Sequence, residues 1–462
     1  MSKVAFVTLG CKLNYAETST YERGLVEAGW TVVPWTDSTA DLFLVNTCSV
    51  TEHSDKKSRN IIRKLHRVAP QADIVVTGCS AQLRRADIEK LEGVTRVFGA
   101  SEKSQVVPFI LGAAGGYPSE EPLPPLARPV RAASMQCLLD PSRPKLPTAV
   151  PLSAGGYQTS EGYPPAALTD DYFNAYSTGE RTRSFLKVQD GCDYKCHYCT
   201  VPYARGESRN APISTIVEDA KAIAATGVKE IVITGVNTGD FGASTGESFL
   251  ELLKELNKVD GIERYRISSI EPNLLTEEIV DWIASGTKFL PHFHIPLQSG
   301  SDTILQNMGR RYLTAGFADK IAYIRKAMEK PGQQKVFFGI DVIAGFPGES
   351  DELFRETYDF LKNVVKPAFI HIFPYSKRPG TPAATMPGQV QDSVKTARVE
   401  MLEELCGQLQ ADFIESNRGL VSKVLFEQKT ADGLAEGWSE NYIRVTRPWK
   451  NDIINSIEEI VL

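Results

Sequence analysis

Three cysteines fall within eight residues of this chain, and their spacing limits its chemistry more than any other feature. Cys192, Cys196 and Cys199 form a C-x3-C-x2-C triplet directly after Gly191. Three thiolates this close on one loop can converge on a single iron–sulfur cluster. A zinc site usually takes four ligands in paired spacings, and His197 keeps that alternative open. Three ligands on a four-iron cluster leave one iron free to bind another molecule.

A second set of three cysteines is spread along the N-terminal part of the chain. Cys11, Cys48 and Cys79 each follow a short apolar run that is typical of a strand in a buried parallel sheet. The carboxyl ends of such strands face a common crevice where ligands bind. We therefore expect these cysteines to meet as ligands of a second cluster, the alternative being three unrelated buried cysteines. The runs lie in residues 4–9, 42–47 and 74–78.

Composition restricts the class of protein. The 462 residues suggest about three domains, and 42% apolar with 23% charged residues excludes a disordered chain or a collagen. The apolar runs are far shorter than the ~20 residues needed to span a bilayer, and the N-terminus lacks the apolar region of a signal peptide. We expect a soluble, cytoplasmic protein without disulfides or a membrane partner. Cys406 is then a small buried hydrophobic residue, and Cys137 has no assigned role.

The order of patterns along the chain predicts an α/β protein with three domains and an insert. Residues 1–111 predict an open parallel α/β sheet domain, and residues 112–178 a Pro/Gly-rich insert and linker, since 112–171 hold 11 of the 27 prolines. Residues 179–417 alternate strands and helices, as in a partial (β/α)6 barrel, and residues 418–462 predict a small antiparallel β-barrel. The predicted barrel strands are Phe185–Val188, Glu230–Thr234, Arg264–Ser268, His292–Pro296, Val336–Ala344 and Ala368–Phe373, and the predicted tail strands are Gly419–Glu427, Tyr442–Val445 and Ser456–Val461.

Charge patterning leaves room for local contacts with nucleic acid. The net charge of −6 gives no global positive field. The stretch Asp55–Arg67 nevertheless sums to +5 and has apolar residues at helical spacing, so it predicts a helix with a basic outer face. This face either is solvated or contacts phosphate. The tail offers aromatic residues for base stacking, with core packing expected for at least one. These aromatics and their basic neighbours are Trp438, Tyr442, Trp449, Lys423, Arg444, Arg447 and Lys450.

Taken together, the motifs resemble the methylthiotransferases, a family of radical S-adenosylmethionine (SAM) enzymes, over essentially the whole chain. The resemblance is carried by Gly10–Asn14, Asn46–Cys48, Gly78–Cys79 and the run Val188–Gly206, and the tail resembles the TRAM domain, a small RNA-binding barrel. Two further stretches resemble the branch of the family that acts on threonylcarbamoyladenosine in tRNA. They are Ile233–Asp240 and Phe373–Ala383.

The resemblance implies two [4Fe-4S] clusters and SAM as cofactors, with all six cysteines as metal ligands and catalytic residues. It implies insertion of a methylthio group at C2 of the threonylcarbamoyladenosine 3′ of the anticodon. The partners would be the tRNA anticodon stem-loop, an external electron donor and a sulfur donor, and the chain would act as a monomer. One alternative substrate is isopentenyladenosine in tRNA or an aspartate of a ribosomal protein. An alternative of another class is a non-catalytic iron–sulfur protein that binds RNA.

The resemblance also implies SAM contacts at the carboxyl ends of the barrel strands. Each of these residues could instead be a polar group with a purely structural role. The candidates are Tyr198 beside the last cysteine, Gly235 beside the methionine amino group, Glu271 for the amino or ribose groups, Gln298 and Asp341 for the ribose hydroxyls, and Arg310 or its neighbour Arg311 for the carboxylate.

Overall fold

A computed structural model describes residues 2–113, 172–178 and 182–462. Most of the predicted insert and linker, including Cys137, lies outside the described residues. The rest forms an N-terminal α/β domain, a central barrel and a C-terminal antiparallel sheet. Within these described ranges, no helix is both long enough and apolar enough to cross a membrane.

The N-terminal domain is an open sheet of five parallel strands in the order β2-β1-β3-β4-β5, as the sequence predicts. The strand in the middle is buried along its whole length because helices cover both faces. Its elements are β1 (Lys3–Thr8), α1 (Lys12–Glu27), β2 (Thr31–Val32), β3 (Leu42–Thr47), α2 (Glu52–Val68), β4 (Asp73–Gly78), α3 (Cys79–Leu83), α4 (Arg85–Glu89), β5 (Val94–Val97) and α5 (Val106–Ala113).

The central domain is the predicted partial barrel. Its six parallel strands form two sheets of three, β6-β7-β8 and β9-β10-β11. Two parallel bridges, Tyr265 to Phe289 and Ser269 to His294, join the sheets into one arc. Its elements are β6 (Arg183–Lys187), α6 (Val201–Arg205), α7 (Ile213–Ala225), β7 (Glu230–Thr234), α8 (Phe249–Asn257), β8 (Arg264–Ile267), α9 (Glu277–Ala284), β9 (His292–Gln298), α10 (Asp302–Asn307), α11 (Thr314–Met328), β10 (Phe337–Ala344), α12 (Asp351–Phe360), β11 (Phe369–Pro374) and α13 (Asp392–Ser416).

The N-terminal domain lies beside the first barrel strand. Helix α1 packs on β6, and the short segment 172–178 runs antiparallel along the same strand. In that pairing, the backbone N–H of Lys187 donates to Ala175 O (3.0 Å) and that of Ser177 to Phe185 O (2.9 Å). The carboxyl ends of the two sets of strands therefore meet at a shared surface.

The C-terminal domain is an antiparallel half-barrel of four strands in the order β14-β13-β12-β15, which confirms the predicted antiparallel fold. The sequence analysis missed its second strand, because Leu-Ala-Glu-Gly-Trp lacks the alternation and β-branched residues that mark strands. The strands are β12 (Val421–Lys429), β13 (Leu434–Trp438), β14 (Arg444–Pro448) and β15 (Ile457–Val461).

Candidate active site

The triplet of cysteines lies on the loop between β6 and α6, and each sulfur accepts one N–H group. The backbone N–H of Tyr194 donates to Cys192 Sγ (3.4 Å) and that of Val201 to Cys199 Sγ (3.4 Å). Arg310 Nη1 donates to Cys196 Sγ (3.2 Å). Such hydrogen bonds stabilise thiolates, and hydrogen bonds to the sulfurs help to set the potential of an iron–sulfur cluster. These three sulfurs are therefore a donor set that fits a cluster.

Burial and the neighbouring thiols both affect the pKa values of the triplet cysteines. Burial, and then the neighbouring Cys196, raises the pKa of Cys199 to about 12. Burial also raises the pKa of Cys192 to about 12, with the Tyr194 N–H opposing it and Cys196 adding to it. Thiols in this state hold their protons until a metal displaces them, since binding to a metal requires the thiolate. The alternative zinc ligand, His197, directs Nδ1 to Asn307 O at 2.7 Å.

The three dispersed cysteines also come together. Cys11 lies at the start of α1, Cys48 directly follows β3, and Cys79 begins α3 after β4. Burial and then the thiolates of Cys79 and Cys11 raise the pKa of Cys48 to about 11. Burial raises the pKa of Cys79 as well, which Arg205 opposes and Cys11 supports. Three thiols that follow the neighbouring strands β1, β3 and β4 at one sheet edge again fit a cluster.

Glycine is required next to both sets. Gly10 has a φ of +107°, and a Cβ there would lie 2.8 Å from Cys48 Cβ and 3.1 Å from its sulfur. Gly191 has a φ of +74°, and a Cβ there would lie 1.8 Å from the carbonyl oxygen of Glu207. The left-handed backbone and the close approach both exclude a side chain. Each glycine thus shapes the cradle for the cysteine that follows it.

A buried cluster of charges connects the two domains behind these cradles. Glu17 Oε1 on α1 receives Lys103 Nζ (2.7 Å), Lys187 Nζ (3.1 Å) and Arg205 Nη1 (3.1 Å). Asp190 receives Lys187 Nζ (2.7 Å) and Arg205 Nη1 (2.9 Å). All five side chains are at most 4% exposed, so the carboxylates and cations must compensate one another.

Arg205 extends this cluster to the second set of cysteines. Its Nη2 donates to Asn14 Oδ1 at 2.5 Å. Asn14 Nδ2 in turn donates to Leu9 O (2.8 Å) and Thr47 O (2.9 Å), just before Cys11 and Cys48. Helix α6, which follows the triplet, is thereby fixed to the two strand ends that present the dispersed cysteines.

A cavity of about 320 Å³ opens between the barrel and the N-terminal domain. Its wall includes the three triplet cysteines, and it includes Val50 and Thr51 from the loop after Cys48. A volume of this order suits a small ligand. The cavity therefore joins the triplet to the domain that carries the other three cysteines.

Five of the six SAM candidates line this cavity, and they are Tyr198, Glu271, Gln298, Arg310 and Asp341. Gly235 does not line it; its neighbours Val236 and Asn237 do, and their N–H groups donate to Gln189 Oε1 (both 2.9 Å). Gln298 has a φ of +70°, a strained conformation of the kind that gathers at functional sites.

Four of the polar candidates, Tyr198, Glu271, Arg310 and Asp341, are already paired with one another or with neighbours. Arg310 Nη2 donates to Glu271 Oε2 at 2.5 Å, while Arg311 stacks on Tyr194 at 3.8 Å and is more exposed. Burial raises the pKa of Glu271, which Arg310 opposes. Arg310 is consequently the arginine that faces the cavity, and Glu271 is the carboxylate that orients it.

Sequence reasoning missed two features, one beside this wall and one in it. His294 Nε2 and Asp341 Oδ1 lie 2.6 Å apart, and the His371 ring stacks on His294 at 4.7 Å. Burial and then His294 lower the pKa of His371 to about 4. The second feature is Arg378, which lines the cavity and forms an ion pair with Asp55 of α2 (2.6 Å). Both pairings join distant parts of the chain and are not readable from a local motif, although Arg378 itself lies in the stretch Phe373–Ala383 that the sequence analysis singled out.

The predicted basic helix is α2. Ile62 and Leu65 are buried in the sheet domain, while five of its cations, Lys56, Lys57, Arg63, Lys64 and Arg67, are exposed. The only acid counted against them, Asp55, is buried and paired with Arg378. The exposed face is therefore more positive than the summed charge indicates.

The tail residues divide between packing and surface. Tyr442 stacks on Trp438 (4.6 Å between ring centroids) and contacts Phe337 of the barrel (5.5 Å). Trp449 lies under Lys429 Nζ at 4.8 Å. The basic residues Arg444, Arg447 and Lys450 form ion pairs with Glu436 and Glu458. Core packing thus accounts for Tyr442, as the sequence analysis expected for at least one aromatic residue.

Comparisons with known families and proteins find matches to both the N-terminal domain and the barrel. The Radical SAM superfamily matches residues 186–361, and the uncharacterized protein family UPF0004 matches residues 3–99. The threonylcarbamoyladenosine tRNA methylthiotransferase MtaB of Bacillus subtilis (strain 168) is 36% identical over 100% of this chain and 93% of its own. The tRNA-2-methylthio-N(6)-dimethylallyladenosine synthase of Maricaulis maris (strain MCS10) is 31% identical over 91% of this chain and 86% of its own.

A solved structure shares the fold. The radical S-adenosylmethionine methyltransferase TsrM from Kitasatospora setae, with cobalamin and a [4Fe-4S] cluster bound, superimposes with a TM-score of 0.55. The two are 16% identical, over 83% of this chain and 74% of that one. This likeness concerns the architecture alone.

Proposed function

The chain belongs to the radical SAM methylthiotransferases, and we propose that it transfers a methylthio group to C2 of the threonylcarbamoyladenosine 3′ of the anticodon in tRNA. It is an enzyme that transfers a sulfur-containing group with [4Fe-4S] clusters and SAM as cofactors. The relatives that match most of its length are enzymes by name, which argues against the non-catalytic alternative. We place the reaction in the cytoplasm, where low-potential electron donors are at hand.

One observation carries the proposal. A single cavity is lined by all three triplet cysteines and by the loop that follows Cys48. A reaction that needs SAM at one cysteine set and sulfur at the other requires both sets to face the same substrate. The C2–H bond of adenine is neither acidic nor open to nucleophilic attack, so side chains alone do not replace that hydrogen.

The residues of this chain would then divide the work. A cluster on Cys192, Cys196 and Cys199 would supply the electron that cleaves SAM, and a cluster on Cys11, Cys48 and Cys79 would supply the sulfur. We place the SAM carboxylate beside Arg310. The N–H groups of Arg310 donate to Glu271 Oε2, Tyr312 Oη, Cys196 Sγ and Tyr198 Oη, and one of these acceptors would give way to the carboxylate. The other oxygen of Glu271, Oε1, is left for a donor on SAM.

The cavity wall has a second task, which is to keep water from the reacting atoms. Apolar side chains, among them Ile343, Val236 and Phe373, line it between the polar groups. Exclusion of water protects reactive species from side reactions and strengthens the polar contacts inside the site.

Recognition of tRNA remains local in this proposal. The exposed cations of α2 lie on the N-terminal domain, and the first residues of the same helix contact the cavity-lining segment through the Glu52 N–H to Ser376 Oγ hydrogen bond (3.2 Å). Phosphates of the anticodon stem would contact this basic face while the loop base enters the cavity.

The test is mass spectrometry of tRNA nucleosides from cells with and without the gene. We expect deletion to remove the methylthio derivative of threonylcarbamoyladenosine and to accumulate its unmethylthiolated precursor. Loss of the methylthio isopentenyl product instead would overturn the substrate but keep the reaction. No change in any tRNA nucleoside would overturn tRNA as the substrate and favour a protein side chain.

A further inference from the structure

The cavity wall formed by the segment after β11 carries an excess of hydrogen-bond donors. Arg378 uses only Nη2, which donates to Asp55 Oδ2 (2.6 Å) and Ser49 Oγ (2.8 Å). Its Nε and Nη1 have no acceptor among the described residues, although the side chain is only 2% exposed. Tyr375 Oη, on the same wall, is also buried and has no partner in the part of the chain that the structure describes.

Unpartnered buried donors are costly, and a charged one more than a neutral one. Each such group loses its hydration without a compensating bond. A guanidinium keeps its charge at any physiological pH and offers five N–H groups in a plane. Asp55 Oδ1, also buried and without a partner among the described residues, is one acceptor against the three N–H hydrogens of Nε and Nη1. The wall therefore still favours a ligand that supplies acceptor oxygens.

The position of Arg378 selects which part of a ligand it meets. The cavity is lined by the triplet cysteines, Glu271 and Arg310 on one side, where SAM contacts gather. Arg378 stands with Phe373 and Tyr375 of the barrel and with Thr51 of the N-terminal domain. This second side, between the two domains, is left for the nucleoside that receives the methylthio group.

We propose that Arg378 binds the carboxylate of the threonylcarbamoyl group through the N–H groups that Asp55 and Ser49 leave free. This inference rests on the proposed function and names the residue that selects its substrate. The threonyl moiety carries a carboxylate, whereas an isopentenyl group has no charge and no acceptor. Asp55 and Ser49 belong to the N-terminal domain, so both domains together build this subsite and hold the guanidinium in place.

The energetic consequence is discrimination between a nucleoside with a carboxylate and one with an apolar N6 substituent. A charge-assisted hydrogen bond in a buried site favours the substrate that makes it by about 10- to 100-fold over one that lacks it. An apolar N6 substituent would leave Arg378 Nε and Nη1 buried and without an acceptor. Specificity for the charged nucleoside would thus come from both attraction and rejection.

The experiment uses two anticodon stem-loop RNAs that differ in one group: threonylcarbamoyladenosine with its free carboxylate, and the same nucleoside as a methyl ester. Binding to the reconstituted holoenzyme is measured by fluorescence anisotropy, and methylthiolation is measured with SAM and a reductant. We expect the wild-type enzyme to prefer the acid by about 10- to 100-fold. Arg378→Gln should bring the acid-to-ester ratio close to 1.

Control variants separate binding from structure. Lys377→Gln removes an exposed cation one residue earlier and should keep the acid-to-ester ratio of the wild type. Arg378→Lys should restore part of that ratio. An acid-to-ester ratio of about 1 in the wild-type enzyme would overturn the proposal. An acid-to-ester ratio in Arg378→Gln that equals the wild-type ratio would also overturn it. SAM cleavage without methylthiolation of either RNA would overturn the proposed function itself.

Discussion

At the scale of single residues, a cysteine becomes a ligand because its neighbours prepare it. The backbone N–H groups of Tyr194 and Val201 point at two sulfurs of the triplet, and Arg310 donates to the third. Thiols that burial keeps protonated can exchange the proton for a metal only where such donors stabilise the thiolate. Cys406 has a different setting, packed under β11 near Ile370.

The two cysteine sets should separate the two halves of the reaction. We expect Cys192→Ala to abolish SAM cleavage, because a cluster held by two of the three triplet ligands would not remain intact. Cys48→Ala should keep SAM cleavage and lower methylthio transfer at least ~100-fold, since the sulfur-carrying set is incomplete. 5′-Deoxyadenosine and methylthiolated RNA are quantified in the same anaerobic reaction, with iron counted per chain.

Cys406→Ala is the matched control, because it removes one thiol of similar burial far from both sets. It should retain both products and all of the iron. Full methylthiolation by Cys48→Ala would contradict the assignment of the second set.

These residues show what the sequence could and could not predict. Cysteines after apolar runs were predictable because a parallel sheet brings the ends of its strands together. Arg378 lies in the stretch Phe373–Ala383 that the sequence analysis singled out. Its ion pair was not predictable, since Asp55 lies 323 positions away and a pair between distant segments leaves no periodic pattern. Gly235 was assigned by resemblance, and the structure sets it behind Val236 and Asn237. Its predicted role remains untested.

At the scale of elements, α1 links the sheet domain to the barrel. The helix directly follows its N-cap residue, Cys11, and carries Glu17 in the buried charge cluster. It also places Arg23 on the segment beside β6, where Arg23 Nη1 donates to Tyr176 O (2.7 Å). Although burial alone would raise the pKa of Glu17, the cations Arg205, Lys103 and Lys187 lower it below its usual range. The helix is thus docked by charge as well as by apolar packing.

Glu17→Gln should therefore destabilise the folded chain by about 3–5 kcal/mol, because it leaves buried cations without their carboxylate. Urea unfolding of wild type and variant measures the difference. A carboxyl with a lowered pKa in the folded state contributes stability above its ordinary pKa of 4.5 and loses it as the pH falls further. The difference should hold from pH 8 to about pH 5 and shrink below that.

Glu27→Gln, at the exposed end of the same helix, provides the control and should change stability by less than about 0.5 kcal/mol. A loss from Glu17→Gln no larger than this would show that the cluster does not hold the two domains together. Equal iron content in both variants would show that the effect is on folding rather than on the cysteines.

At the scale of the whole molecule, the C-terminal domain closes the end of the barrel at which the strands begin. Arg266 of β8 donates to Ser439 O and Glu440 O (both 2.8 Å), and Arg264 donates to Trp438 O (3.1 Å). Glu230 pairs with both arginines. The tail is therefore part of the barrel's structure, and its resemblance to an RNA-binding domain does not make it a separable module.

Tyr442 offers the sharpest test of this view. Its ring lies between Trp438 of the tail and His292 and Phe337 of the barrel, 4.8 Å from the Arg266 guanidinium. Tyr442→Ala should cost about 2–4 kcal/mol of unfolding free energy for the chain as a whole, since both domains lose the contact. Tyr442→Phe keeps the ring and should cost no more than about 1 kcal/mol. A separate early transition of the tail in Tyr442→Ala, with unfolding of the barrel unchanged, would instead mean that the half-barrel folds independently and that only its surface matters for the enzyme.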